Sequence, residues 1–264
     1  NHDGFEWLVK GPPLEPTNTG GQTDDIYFGY QVLLTADELF IGAPGLQSQG
    51  SNVGRVYHYK SDGMMSWSTQ TPLDPPVIMN GDTVEGYGSA LAFDQSDDRL
   101  FIGAPVSQYM NKRGMVFAMK RAPDPEWVVD DGPYITYGGA PSTGSSLFGD
   151  AIAADAGFLI AAAPSYEDLQ DDTVGPGRVF SYEVAADGTT SKERWISAVL
   201  PQSNLYAGSG VALNRDLLAL AAPFAVADVR ELQWSDLIPA DAPPPPPPVA
   251  LTQSTLPTWT GTGT

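Results

Sequence analysis

Cysteine is missing from all 264 residues, and only two residues are histidine. The first absence excludes a disulfide scaffold, a thiolate metal centre and a cysteine nucleophile. The second leaves a zinc site or a catalytic triad to be built from unusual members. His2 lies at a terminus expected to fray, and His58 sits among alternating apolar residues, the pattern of one strand face. Basic residues are also scarce, 13 Lys and Arg against 32 Asp and Glu, for a net charge of −19. Such a surface keeps a protein soluble and repels phosphates, so neither nucleic acid nor an anionic membrane is an expected partner. Cations, basic proteins and basic glycans would be attracted. No apolar run approaches the roughly 18 residues of a membrane-spanning helix. There is no Asn-x-Ser/Thr acceptor, so N-linked glycans are not expected, and no Gly-rich phosphate loop followed by lysine. Segments with capped, helically spaced apolar residues are absent as well.

The lack of cysteine does not argue against secretion, because a chain of this length can build its core without staples. The chain opens on Asn1, as expected of a processed product or a segment of something longer. Glycine and proline are plentiful, 28 and 24 residues, which suits many short strands joined by tight turns.

Internal repetition organises the rest. An aromatic-Gly or small-Gly step recurs at Phe28-Gly29, Tyr87-Gly88, Phe148-Gly149 and Ala207-Gly208. A small-Ala-Pro triplet recurs, ending at Pro44, Pro105, Pro164 and Pro223. A tryptophan recurs at Trp7, Trp67, Trp127 and Trp195. The glycines are spaced by 59, 61 and 59 residues, the prolines by 61, 59 and 59, and the tryptophans by 60, 60 and 68. Three markers sharing one period define a repeat of about 60 residues. A looser marker, glycine followed by alternating apolar residues, starts at Gly54, Gly114 and Gly177.

Each period holds four strand candidates, in the first copy Phe28–Leu34, Leu39–Ala43, Arg55–Tyr59 and the stretch around Trp67. The first two are joined by the short polar turn Thr35–Glu38. Four strands per repeat, repeated radially, is the pattern of propeller blades. The glycines permit close backbone approach where inner strands crowd. The small residues before each proline let neighbouring blades pack, and the proline ends the strand because it cannot donate to the ladder. The tryptophans fill the wide outer space between blades.

The stretches Phe28–Pro44 and Tyr87–Pro105 resemble the FG-GAP repeat, the blade unit of integrin α-chain propellers. The third and fourth copies resemble it with Ala162 and Ala221 in place of glycine. The likeness spans about residues 5–235 and is nearest the calcium-poor variety. It implies an all-β chain, a four-bladed β-propeller over residues 1–238, with blades at about 24–70, 84–130, 145–198 and 203–238. The fourth copy has a third-strand candidate at Val229–Trp234 and then runs into proline. Residues 5–11, around Trp7, look like its missing outer strand. Strand counting favours closure of the ring within the chain. Donation of that strand to a neighbouring molecule, or membership of a larger ring, are the alternatives.

Related repeats carry a calcium loop between the first two strands. Here Asp94, Asp97 and Asp98 are the one set of carboxylates calcium could use, and Arg99 follows them directly. A solvated hairpin turn is the expected reading, because calcium wants six to eight oxygens. No metal or other cofactor, and no catalytic set, is expected.

Residues 239–264 form a different region, an extended tail with six consecutive prolines, Pro243, Pro244, Pro245, Pro246, Pro247 and Pro248. Such a run enforces a stiff polyproline II rod. With Thr252, Ser254, Thr255 and Thr258 beyond it, the tail resembles the glycosylated segments of hydroxyproline-rich proteins, which makes these prolines and hydroxyls the glycosylation candidates. The expectation is an extracellular or cell-surface structural protein, not an enzyme. It would be a repeating subunit of a glycosylated fibre or coat, partnered through its tail with neighbouring copies of itself. The alternative is an adhesion or ligand-binding module that meets glycans or cell-surface proteins through one loop face.

Overall fold

The computed structural model describes residues 12–48, 51–63, 66–78, 83–109, 112–122, 126–129, 134–137, 146–166, 177–197, 208–214, 217–221, 228–231 and 238–239. The fold is all-β: among the described residues there is no helix, and the strands form four antiparallel sheets. The first sheet runs in chain order through β1 (Val32–Leu34), β2 (Glu38–Ala43), β3 (Arg55–Ser61) and β4 (Trp67–Thr69). The second runs through β5 (Ala90–Asp94), β6 (Arg99–Tyr109), β7 (Lys112–Arg121) and β8 (Trp127–Val129). The third holds β9 (Ile152–Asp155), β10 (Phe158–Ala163), β11 (Arg178–Val184) and β12 (Thr190–Ser197). The fourth holds β13 (Gly210–Asn214), β14 (Leu217–Ala221) and β15 (Asp228–Glu231). A two-residue strand, β16 (Ile238–Pro239), adds to the outer edge of the third sheet, with Trp195 opposite Ile238 and Arg194 opposite Pro239.

The repeat read from the sequence becomes a repeated hydrogen bond. The landmark glycine donates its N–H to the residue two before the landmark proline in all four sheets: Gly29 to Gly42 (3.1 Å), Gly88 to Gly103 (3.0 Å), Gly149 to Ala162 (2.8 Å) and Gly208 to Ala221 (2.8 Å). The four glycines share one backbone conformation, with φ of 90°, 93°, 87° and 92°. This is left-handed territory that glycine enters without steric cost.

Successive sheets meet face to face through these positions. A side chain on Gly42 would collide with the Gly88 carbonyl, and one on Gly103 with the Gly149 carbonyl. A methyl on Gly208 would lie 2.8 Å from the Ala162 Cβ. The linkers between sheets reinforce the joints. Val56 of the first sheet bridges Leu73, and Val116 of the second bridges Ile135. Along each first strand the residues alternate between the two joints. Leu91 packs with Phe40 and Val56 of the first sheet, whereas Ala90 and Ala92 pack into the cluster shared with the third. Ile152 looks back to the second sheet, while Ala151 and Ala153 look forward to the fourth.

Several details depart from the sequence reading. The first strand begins at Val32, not Phe28, because residues 27–30 form a turn in which the Tyr30 N–H donates to the Tyr27 carbonyl (3.0 Å). Strand β2 and strand β10 do stop just before Pro44 and Pro164. Pro105, however, does not end its strand: β6 continues to Tyr109. The register breaks between Ala104 and Gln108, then resumes with Gln108 opposite Arg113. The missing donor of proline is absorbed as an irregularity of the ladder. Trp67 and Trp127 occupy one register position, opposite Ser61 and Arg121, but Trp195 lies opposite Phe180, further along its strand. That displacement is the structural counterpart of its longer spacing. The third strand of the fourth sheet spans Asp228–Glu231. Trp7 with residues 5–11, Pro223, Trp234 and the proline run of the tail lie outside the described residues.

Candidate functional site

Among the described residues, four titratable groups, Glu38, His58, Arg121 and Asp98, join in one network where the first sheet meets the second. Glu38 opens β2, and its side chain is 2% exposed. His58, on β3 beside it, is 5% exposed, and since a carboxylate only accepts, His58 Nε2–H donates to Glu38 Oε1 at 2.9 Å. Arg121, from the end of β7, reaches across the joint and grips the same carboxylate with both terminal nitrogens, 2.9 Å to Oε1 and 2.7 Å to Oε2. Its Nε and one terminal nitrogen also hold both oxygens of Asp98, at 2.6 and 2.9 Å. The guanidinium lies 4.5 Å from the centre of the Trp127 ring, and His58 stacks on Phe40 with ring centres 4.8 Å apart. Trp127 in turn stands edge-on to Phe40 at 5.6 Å and to Phe93 at 6.2 Å, and is buried between the two sheets.

Burial alone would raise the Glu38 pKa, but the hydrogen bonds and charge of Arg121, with His58, more than offset it and hold the carboxyl below its usual value. Burial lowers the pKa of His58; Glu38 opposes that shift and Arg121 adds to it, so the ring is held toward its neutral form. Arg121 is held more firmly in its charged form by the hydrogen bonds it donates to Glu38 and Asp98. Both Glu38 oxygens are engaged and the His58–Glu38 pair is buried, so the arrangement acts as a clamp between sheets. It presents no catalytic acid to a substrate.

The acidic turn proposed from sequence lies next to this clamp, and its carboxylates diverge. Asp94 Oδ1 accepts from the Ser96 N–H (2.9 Å) and hydroxyl (2.7 Å), and Oδ2 accepts from the Gly157 N–H of the third sheet at 2.6 Å. Asp97 pairs with Arg99 at 3.0 Å, and Asp98 with Arg121. Arg99 also donates to the Ala186 carbonyl at 3.0 Å. Among the described residues no three His, Asp or Glu side chains converge as a metal cage would require. The turn thus ties the second sheet to the third directly, and through Asp98 it holds the Arg121 that grips the first sheet.

Glu38 and Arg121 escaped the sequence reading. Glu38 was assigned to a polar turn, although aligning the four copies places it at the first position of the second strand with Arg99, Phe158 and Leu217. A charge in a position that is apolar in two copies is the signal that marks it. The glycosylation candidates Pro243–Pro248, Thr252, Ser254, Thr255 and Thr258 lie outside the described residues.

The class defined by this geometry is an all-β protein of serially joined antiparallel sheets. No family model and no curated protein matches the chain.

Proposed function

We propose that the chain is an extracellular structural protein, a repeating subunit of a glycosylated fibre or cell-surface coat. Its four sheets are the blades of an FG-GAP-type propeller, with residues 5–11 supplying the outer strand that the fourth sheet lacks. The carrying observation is the fourfold glycine hydrogen bond with its shared φ, which supports reading the chain as one structural unit repeated four times. A body fixed by backbone contacts and cross-sheet clamps suits a mechanical role. The last described residues before the proline run, Ile238 and Pro239, pair at the outer edge of the third sheet, with Ile238 opposite Trp195. A rod of that kind has no internal hydrogen bonds and suits a solvated, sugar-coated link to the next copy.

Electron microscopy of the purified protein tests this reading. Extended assemblies that vanish on deletion of residues 239–264 are expected. Isolated single particles of the intact chain under all conditions would refute it. Intact mass spectrometry should show pentose or hexose additions, and these should map to the tail.

A further inference from the structure

The turn leading into the first strand is built alike in the first three sheets, and the first sheet alone decorates it with exposed rings. Residues 27–30, 86–89 and 147–150 each close with the last N–H donating to the first carbonyl, at 3.0, 3.1 and 3.1 Å. The first residue of each has a left-handed φ, 54° at Tyr27, 72° at Gly86 and 53° at Leu147, and the third is the landmark glycine. Neither end of this turn needs an aromatic ring. The second copy has Gly86 and Ser89, whose hydroxyl folds back onto the Gly86 carbonyl at 2.7 Å, and the third has Leu147 and Asp150, both partly covered. The first copy has Tyr27 and Tyr30, 57% and 59% exposed. Phe28 between them turns inward, edge-on to Tyr57 at 5.3 Å, so the turn is anchored while the two tyrosines stay outside.

The tyrosine pair sits on a fixed support. Tyr27 lies over Gly45, where a side chain would collide with the Tyr27 ring and the Asp25 carbonyl oxygen. The same position in the other copies holds Val106, Ser165 and Phe224, so the bare position belongs to the first copy alone. The Gly45 N–H donates to the Ile26 carbonyl at 3.2 Å. Gln22 pins the segment further: its amide donates to the Gly45 carbonyl at 3.2 Å, and its oxygen accepts from the Gln47 N–H at 2.8 Å. The result is a preorganised aromatic ledge.

We propose that this ledge seats the proline run, Pro243–Pro248, of a second copy of the chain. Polyproline segments dock on exposed aromatic side chains, whose rings stack on the pyrrolidine faces, and tyrosine hydroxyls can donate to the carbonyls that a polyproline II helix leaves without partners. The charges fit as well. Asp24 and Asp25 are exposed in the same segment as the ledge, and the chain carries −19, yet residues 239–264 hold a single charged side chain, Asp241. An uncharged rod approaches such a surface without repulsion. Docking uses one of the helix's three faces, which leaves the others free to carry sugar. The chain's own run is poorly placed for this seat. Pro239 pairs on the third sheet, and the three residues Ala240, Asp241 and Ala242 before the run let it start at most about 14 Å away. Two sheet-to-sheet joints of about 10 Å each separate that sheet from the first. Ledge and tail are different surfaces, so the contact is heterologous and propagates from copy to copy. This deepens, and rests on, the fibre-subunit reading by naming where one copy's tail lands on the next.

A fluorescently labelled peptide of residues 239–252, titrated with the full chain and followed by anisotropy, is the probe. Saturable binding is expected, weakened roughly tenfold or more by Tyr27→Ser with Tyr30→Ser and largely kept by Tyr27→Phe with Tyr30→Phe, which retains the rings. Tyr30→Ser alone, which leaves the ring on Gly45 in place, should weaken binding in the same direction. Circular dichroism checks that each variant is folded. A peptide with alanine in place of Pro243–Pro248 should not bind. No binding of the natural peptide, or equal binding by the double serine variant, would overturn the proposal. So would a peptide that binds only after the chain's own residues 239–264 are deleted, which would put that tail on the ledge. Electron microscopy separates these failures from failure of the fibre reading. Assemblies that need residues 239–264 but survive in the double serine variant would overturn the ledge alone, whereas isolated single particles of the unmodified chain would refute both.

Discussion

The first and second joints share one backbone geometry and a buried apolar core, and differ in what else crosses them. Between the first and second sheets, the charged row His58–Glu38–Arg121–Asp98 crosses the boundary beside Trp127. Between the second and third, aromatic rings fill the space: Tyr137, Phe148 and Phe180 are all buried, with centres 5.6 to 5.7 Å apart, and Tyr166 stands edge-on to Tyr137 at 5.4 Å. They lie against small residues of the second sheet, Ala90, Ala92 and Ala118. The lesson is that the glycine contacts set how sheets approach. The side chains between them are free to vary in chemistry so long as the gap is filled and every buried charge is paired.

The two fillings should fail differently. Phe148→Ala removes a fully buried ring from the aromatic joint and should cost about 3–5 kcal/mol, read as a large fall in denaturation midpoint with the β spectrum retained. Arg121→Met keeps the stem over Trp127 but strips Glu38 of its main partner. Because His58 still donates to that carboxylate, the cost should be smaller, about 2–3 kcal/mol. Acid should separate the joints further. His58 has a folded pKa below its usual 6.5 and Glu38 one below its usual 4.5, so for both the unfolded chain binds protons first. Their contribution is complete above about pH 6.5 and is lost as pH falls, through His58 first and then Glu38. Thermal melts between pH 7.5 and 4 should show this decline, and it should be shallower in a Glu38→Gln, His58→Phe double variant. At the small end, Lys60→Ala loosens only an exposed pair with Asp37 at 4.0 Å and should change stability by less than about 0.5 kcal/mol. Millimolar calcium should leave the melting temperature unmoved, since Asp94, Asp97 and Asp98 answer to different donors.

The fold was legible wherever a landmark has a backbone cause. The glycine step, the small residue before proline and the alternating strands carry local geometry, so their spacing marked four sheets and placed β2 and β3 within two residues of their bounds. Pro105 misled because proline forbids one donor and not a whole strand, and the ladder could skip a step. Trp195 misled because a residue type was counted where register matters. The clamp was hidden for a different reason. Glu38 and Arg121 are 83 positions apart, and nothing in either local pattern says that the end of one sheet's third strand will cover the start of the previous sheet's second.

Glycine-to-alanine substitutions in dilute, single-chain protein test the serial-joint account most directly. At Gly29, Gly88 and Gly149 alike, a methyl forces a strained φ costing roughly 1–2 kcal/mol. At Gly149 it would also lie 2.7 Å from the Met115 carbonyl oxygen, and at Gly88 3.0 Å from that of Arg55, whereas at Gly29 it meets open space. Gly149→Ala should therefore lower the melting temperature most, Gly88→Ala next, and Gly29→Ala least. A Gly29→Ala penalty as large as that of Gly88→Ala would contradict the account, in which the backbone of the preceding sheet crowds Gly88 and Gly149 and sets the extra cost there.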